Sequence, residues 1–347
     1  MDISIIGAWG AVGQKTAISL VQNRILDASS RLQLVGRRGG EAERALVGFA
    51  SDLQDAYAET IPELDVVFDS ENVLGDIIIF AAGATVPTNA KERLPRRLLA
   101  EKNLPLFEQY ADVIRRHGHG EEIILVVSNP VELGVAVFSR VHPRRRVIGM
   151  GGYLDTLRFR REIASELGIR RQAVQGLVLG EHGPHLVPCF STVSAFGFDS
   201  PEGREKIARL RRCDGPEPDS ALGEVQRLML DEGPAAVFER ISTYGAELRT
   251  YLKPFAAQLC GAKTTLGTSE MIVRLVDTIL SGNQVLAAAQ ICLEGEFLGI
   301  HGVTGVPVVL SNSGILRVEP LELWPEEARG VIAAAEASRV MIEEVAS

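Results

Sequence analysis

"DISIIGAWGAVGQKTAISL" (residues 2–20) decides the fold. Ile3, Ile5 and Ile6 make a short β-branched run that stops at Gly7, the profile of a buried strand. Gly7, Gly10 and Gly13 follow at three-residue spacing, and Val12, Ala17, Leu20 and Val21 then recur at helical spacing. In that strand–helix context the glycines let the backbone turn tightly and approach a diphosphate, whose charge meets the helix N-terminus. Gly7, Gly10, Ala11, Val12 and Gly13 are therefore the expected diphosphate contacts. The same spacing occurs in short-chain dehydrogenases, which need a Tyr-x-x-x-Lys pair. Here Ile114 stands four residues after Tyr110 and Leu157 four after Tyr153, so neither tyrosine supplies it.

Working outward, strand-like runs recur at "RLQLVG" (31–36), "DVVFDS" (65–70), "DIIIFAAG" (76–83), "EEIILVVSNP" (121–130) and "RVIGMGG" (146–152), with helical segments between them. Continuously apolar strands alternating with helices predict a parallel sheet covered on both faces. The fold class expected is α/β: a Rossmann doubly wound parallel sheet over residues 1–150, then a mixed α/β substrate domain over 151–347. In the second part, residues 153–169 read as a helix with an arginine-rich face, 173–197 as two strands around "GEHG", and 264–280 as a helix. Residues 284–316 read as antiparallel strands with glycine turns and 325–346 as a final helix. The charged stretch 200–235, with "RRCDGPEPDS" (211–220), reads as the exposed loop.

Composition narrows the function. The 347 residues are 46% hydrophobic, enough for a large core, and the net charge of −9 argues against nucleic-acid partners. Cys189, Cys213, Cys260 and Cys292 are widely spaced, which argues against a metal site or a disulfide framework and for buried thiols in a reducing compartment. No apolar run is long enough to span a membrane, and the first residues begin a strand with no leader pattern. The expectation is a cytoplasmic protein. Arg144, Arg145 and Arg146 read as solvated surface.

Three stretches carry chemistry. "LDTLRFR" places Asp155 and Arg158 three apart on one helix face; "GEHG" places His182 in a glycine-flanked turn; "VVSNP" places Asn129 at the C-terminal end of a parallel strand, where ligands bind in open α/β sheets. Ala82 and Gly83 end a neighbouring strand at the same edge. Hydride exchange with a keto acid needs such parts. A histidine exchanges the hydroxyl proton, a carboxylate fixes its tautomer, and a guanidinium grips the substrate carboxylate with two parallel bonds. Each residue alone has an ordinary structural reading, and it is their combination behind a glycine-loop segment that is specific.

The chain resembles the L-lactate/malate dehydrogenase superfamily over nearly its whole length, through "GAWGAVGQ", "DLQDA", "VVSNPV", "RVIGMGGYLDTLRFR", "GEHG" followed by "LVP", and "EFLGIHGVTGVPVVL". The glycine loop is of the malate dehydrogenase form. The resemblance implies His182 as acid/base, Asp155 as its partner, Arg158 as carboxylate anchor and Asn129 as a hydrogen-bonding group near nicotinamide and substrate. It also implies a homodimer or homotetramer and a small 2-keto or 2-hydroxy acid as the partner molecule.

The sequence departs from the family in three places. Pro184 follows "GEHG" where Asp is common, with His185 next. The substrate loop "TVPTNAKERLPRRLLAEKN" (85–103) offers Arg96 by helix register, or Arg93 by loop length, as the arginine that polarises the reacting carbonyl. The earlier arginine of malate enzymes is replaced by Thr88 or Asn89, which leaves Arg93 or Lys263 to meet an anionic side chain. Finally, Gly36 stands where family members using NAD have Asp, followed by Arg37 and Arg38. That substitution favours NADP over NAD, with Arg37 as the main contact to the 2′-phosphate. The expected function is an NAD(P)-dependent 2-hydroxy acid dehydrogenase, with no metal; malate dehydrogenase proper is the alternative. A family 4 glycosidase would need metal-ligating cysteine and histidine beside the site, and a non-catalytic nucleotide sensor would not need Asp155, Arg158 and His182 together.

Overall fold

The computed structural model describes residues 1–88, 95–211 and 215–346. Its first half runs β1 (Ile3–Ile6), α1 (Ala11–Gln22), β2 (Arg31–Val35), α2 (Gly40–Ala56), β3 (Glu63–Val67), β4 (Ile77–Phe80), α3 (Arg96–His117), β5 (Ile123–Val126), α4 (Val131–Ser139) and β6 (Val147–Gly149). The second half runs α5 (Gly151–Leu167), β7 (Val174–Gly180), β8 (Leu186–Ala195), α6 (Pro201–Ala208), α7 (Pro218–Asp231), α8 (Pro234–Ser242), α9 (Ala246–Leu259), α10 (Thr265–Ser281), β9 (Val285–Glu294), β10 (His301–Ser311), β11 (Gly314–Val318) and α11 (Pro325–Ala346).

The first six strands are all parallel, in the order β3-β2-β1-β4-β5-β6. This is the doubly wound arrangement, with its switch point between β1 and β4. Alternation along each strand explains the two covering layers. Ile3, Ile5, Ile77 and Ile79 pack with Leu20 of α1, Leu46 of α2 and Ile272 of α10, whereas Ile6, Ile78 and Phe80 pack with Phe107 of α3 and Phe138 of α4. The sheet continues antiparallel through β9, β10, β7 and β8, joined to β6 at Gly149 and Gln290.

Three expectations need correction. The stretch 200–235 is largely helical, forming α6, α7 and the start of α8; its polar sequence covers an amphipathic pattern in which Ala221 and Val225 of α7 form a small core with Val237 and Ile241 of α8 and with α9. Arg144, Arg145 and Arg146 are not simply solvated. They reach distant backbone carbonyls at Cys292, Leu316 and Glu121, and Arg144 also pairs with Glu294 and Glu296. The thiols are also uneven: Cys189 is buried, Cys292 half-buried and Cys260 exposed, while Cys213 lies outside the described residues.

Candidate active site

The C-terminal edge of the parallel strands opens into a cleft of about 520 Å³. One end is the glycine turn between β1 and α1. Gly7 has φ +86°, and a Cβ there would lie 2.7 Å from Ala82 Cα, so the two strand ends approach through glycine alone. Gly10 is the N-cap of α1, and no side chain caps that helix, so its first N–H groups remain available to an anion. Gly10, Ala11, Val12, Gly83 and Asn129 all line the cleft. The Asn129 side chain presents a buried Oδ1 that has no hydrogen-bond partner among the described residues. A nicotinamide dinucleotide suits this set: the helix N-terminus receives the diphosphate, and an orphaned carbonyl oxygen is what a carboxamide N–H would meet.

Asp155, Arg158 and His182 meet at the other end. His182 lies in the turn between β7 and β8, and Asp155 and Arg158 lie on α5. His182 Nδ1 is 2.6 Å from Asp155 Oδ2, and Arg158 Nη1 donates to Asp155 Oδ1 at 2.8 Å. One buried carboxylate thus orients both the imidazole and the guanidinium. Burial by itself would raise the Asp155 carboxyl, but His182 and Arg158 together outweigh it and hold the group below the ordinary carboxylate range. Gly151 makes the fit possible, because a Cβ there would sit 2.3 Å from His182 Cγ. His185 points elsewhere, its Nδ1 being 2.7 Å from Glu181 Oε2, and that hydrogen bond raises its pKa.

The remaining expected residues divide. Lys263 lines the cleft together with Val86, Thr250, Tyr251 and Phe255. Arg96 takes a different place from the one expected. It begins α3, does not line the cleft, and is occupied by acids: Nη2 contacts Glu132 Oε2 at 2.5 Å and Nε lies 2.8 Å from Glu181 Oε1. Arg93 and Asn89 fall outside the described residues. Arg37 is exposed and makes no ion pair among the described residues, whereas Arg38 pairs with Asp69 at 2.7 Å and lies 5.7 Å from the Phe68 ring centroid.

Sequence reading missed Glu132, Glu181 and Asn103. Asn103 on α3 accepts from Ala84 N at 2.7 Å and donates to Asn129 O at 2.6 Å, tying the end of β4 to the β5 edge. Two of them had a signal: Glu132 is a lone carboxylate in the apolar helix "VELGVAVF", and Asn103 lies on the same helix face as the buried Leu99 and Phe107. Both are buried polar groups, which require a partner.

Fold and cleft together define a two-part α/β dehydrogenase in which a dinucleotide edge faces an Asp–Arg–His cluster. Residues 1–149 match the family model of the lactate/malate dehydrogenase NAD-binding domain. The chain is 32% identical over 336 residues to malate dehydrogenase of Methanothermobacter marburgensis, covering 94% of this chain and 91% of the relative. It is 29% identical to L-2-hydroxycarboxylate dehydrogenase (NAD(P)(+)) of Methanocaldococcus jannaschii, covering 99% of each. Among solved structures, malate dehydrogenase from Aeropyrum pernix aligns with a TM-score of 0.72 at 25% identity, over 99% of this chain and 98% of that one. Lactate dehydrogenase from Cryptosporidium parvum aligns at 0.74 and 19% identity, over 100% and 98%. The chain belongs to the lactate/malate dehydrogenase family. It is accordingly a nicotinamide-dinucleotide-dependent oxidoreductase acting on a CH–OH group.

Proposed function

We propose that the protein interconverts a 2-hydroxy acid and its 2-keto acid, with residues 1–150 holding NAD(P) and residues 151–347 holding the substrate. The observation that carries this reading is Asp155 bridging His182 and Arg158 inside the dinucleotide cleft. Bound cofactor supplies or accepts the hydride. Asp155 fixes His182 with Nδ1 protonated, so that Nε2 exchanges the hydroxyl proton. Arg158 holds the substrate carboxylate with the guanidinium nitrogens that Asp155 leaves free.

The substrate's side chain meets the wall of Val86, Tyr251, Phe255 and Lys263. Among the described residues Lys263 is the cation on that wall, and the position of the early arginine of malate enzymes holds Thr88 or Asn89. A keto acid other than oxaloacetate fits best. Malate remains the second reading because relatives of comparable length are named malate dehydrogenase. A panel of keto acids with varied side chains decides between them. An oxaloacetate kcat/KM above about 10⁵ M⁻¹ s⁻¹, within the usual range for a native substrate, would make the protein a malate dehydrogenase. Lys263→Met is expected to raise KM for dicarboxylates and leave that for monocarboxylates unchanged.

The same panel, run with both cofactors, tests the preference for NADP. Gly36 removes the carboxylate that would repel a 2′-phosphate, and its space is partly taken by Leu46, whose Cδ2 would lie 2.5 Å from a Cβ at residue 36. Arg37 makes no ion pair among the described residues, whereas Arg38 is engaged by Asp69. A higher kcat/KM with NADPH is expected, and Arg37→Ala should narrow the difference through KM for NADPH. A higher kcat/KM with NADH would reject the preference.

A further inference from the structure

We propose that Arg96 and Glu132 are positioning residues that hold the His182 peptide in register for proton exchange. This inference rests on the reading of His182 as the acid/base. His182 sits in a turn flanked by Gly180 and Gly183, and Gly180 has φ +82°. Such a turn has little intrinsic stiffness. The bond to Asp155 fixes the direction of the imidazole ring but not the peptide that carries it.

A buried ion pair from the other half of the chain fixes that peptide. Glu132, on α4, is fully buried, and its Oε1 accepts the His182 N–H at 2.7 Å. Arg96, at the start of α3, donates from Nη1 to the His182 carbonyl oxygen at 2.9 Å and from Nη2 to Glu132 Oε2 at 2.5 Å. Both hydrogen-bonding groups of the residue are thus held by two side chains that also hold each other. Arg96 Nε rests 2.8 Å from Glu181 Oε1, which anchors the guanidinium on the preceding residue of the same turn.

The chemistry explains why a charged pair serves here. His182 presents one backbone donor and one backbone acceptor, and a carboxylate joined to a guanidinium offers both complements at once through charge-assisted bonds. Breaking the pair leaves a buried charge and two unsatisfied peptide groups, so the turn would shift to find other partners. A displacement near 1 Å at a reacting group can lower the rate by about a hundredfold. Neither residue lines the cleft. The loss should therefore fall on kcat, with KM for the keto acid and Kd for the cofactor unchanged.

The test compares Glu132→Gln, Glu132→Ala and Arg96→Lys, each alone and in the His182→Ala background. Glu132→Gln retains an acceptor for the His182 N–H and should lose less than Glu132→Ala, whose kcat is expected to fall by about a hundredfold. Arg96→Lys can meet Glu132 or the His182 carbonyl but not both in the fork geometry, and should fall between the two. Cofactor binding, followed by fluorescence titration, reports that each variant is folded. In the His182→Ala background none of the three should lower residual turnover further, because they act through His182. A full kcat in folded Glu132→Ala, or an undiminished further loss in the double variants, would overturn the proposal. If instead His182→Ala alone retained full kcat, the assignment of the acid/base would fail, and with it the premise.

Discussion

His182→Ala is expected to lower kcat by roughly 10²–10⁴-fold, the usual contribution of a positioned general acid–base group, while cofactor affinity stays near that of the parent. The separation follows from the architecture. The proposed dinucleotide contacts come from the turn after β1 and from the ends of β4 and β5, whereas His182 comes from the turn between β7 and β8. Stopped-flow reduction of a keto acid and fluorescence titration of the cofactor measure the two quantities independently. Retention of most of kcat would refute the role of His182. The variant should also change acid stability. His182 and Arg158 hold the Asp155 carboxyl below its ordinary range, so this group contributes stability above its unfolded-state pKa and loses it as pH falls through the folded-state value. Without His182 the folded value rises. Acid unfolding followed by circular dichroism should then begin at a higher pH than in the parent.

What could be read from sequence is what local pattern encodes. The strand–glycine–helix opening, the apolar strand runs and the glycine-flanked "GEHG" turn each depend on neighbours a few residues away, and they led to the parallel sheet and to Asp155, Arg158 and His182. What could not be read depends on partners far along the chain. Arg96 is claimed by Glu132 36 residues away and by the His182 carbonyl 86 residues away, and no loop count reveals that two acids wait for it. Arg144 closes on Cys292 O, 148 residues on, for the same reason. The helices α6 and α7 were hidden differently. Their few apolar positions are diluted by charge, and the burial their sequence lacks when read alone comes from distant partners: Ile207 of α6 packs against α5, β7 and β8, and α7 forms a small core with α8 and α9. Buried polar residues were the most informative exceptions. Glu132 breaks an apolar helix because the His182 peptide needs an acceptor there, and a conflict between local pattern and charge is where a site is to be sought.

Arg158→Lys is expected to raise KM for the keto acid by about tenfold to a hundredfold, the factor that corresponds to losing a charge-assisted hydrogen bond of roughly 1.5–3 kcal/mol. Arg158 Nη1 is committed to Asp155 Oδ1 at 2.8 Å, and the side chain is only 16% exposed, so the rest of the guanidinium faces the cleft from a fixed position. A lysine ammonium at this place has to choose. Bonded to Asp155, it presents no planar pair of donors to a carboxylate; turned to the substrate, it leaves Asp155 with the His182 imidazole alone. Either choice weakens the substrate's hold more than it alters proton exchange, so KM should change more than kcat. The matching 2-keto amide separates anchoring from general damage, because it lacks the carboxylate that Arg158 is assigned to bind. Parent and variant should reduce the amide at similar low rates while differing strongly on the acid. An equal loss on both compounds would mean that Arg158 serves chiefly to orient Asp155 and His182, and the carboxylate anchor would then have to be another cation of the cleft, with Lys263 the first to examine.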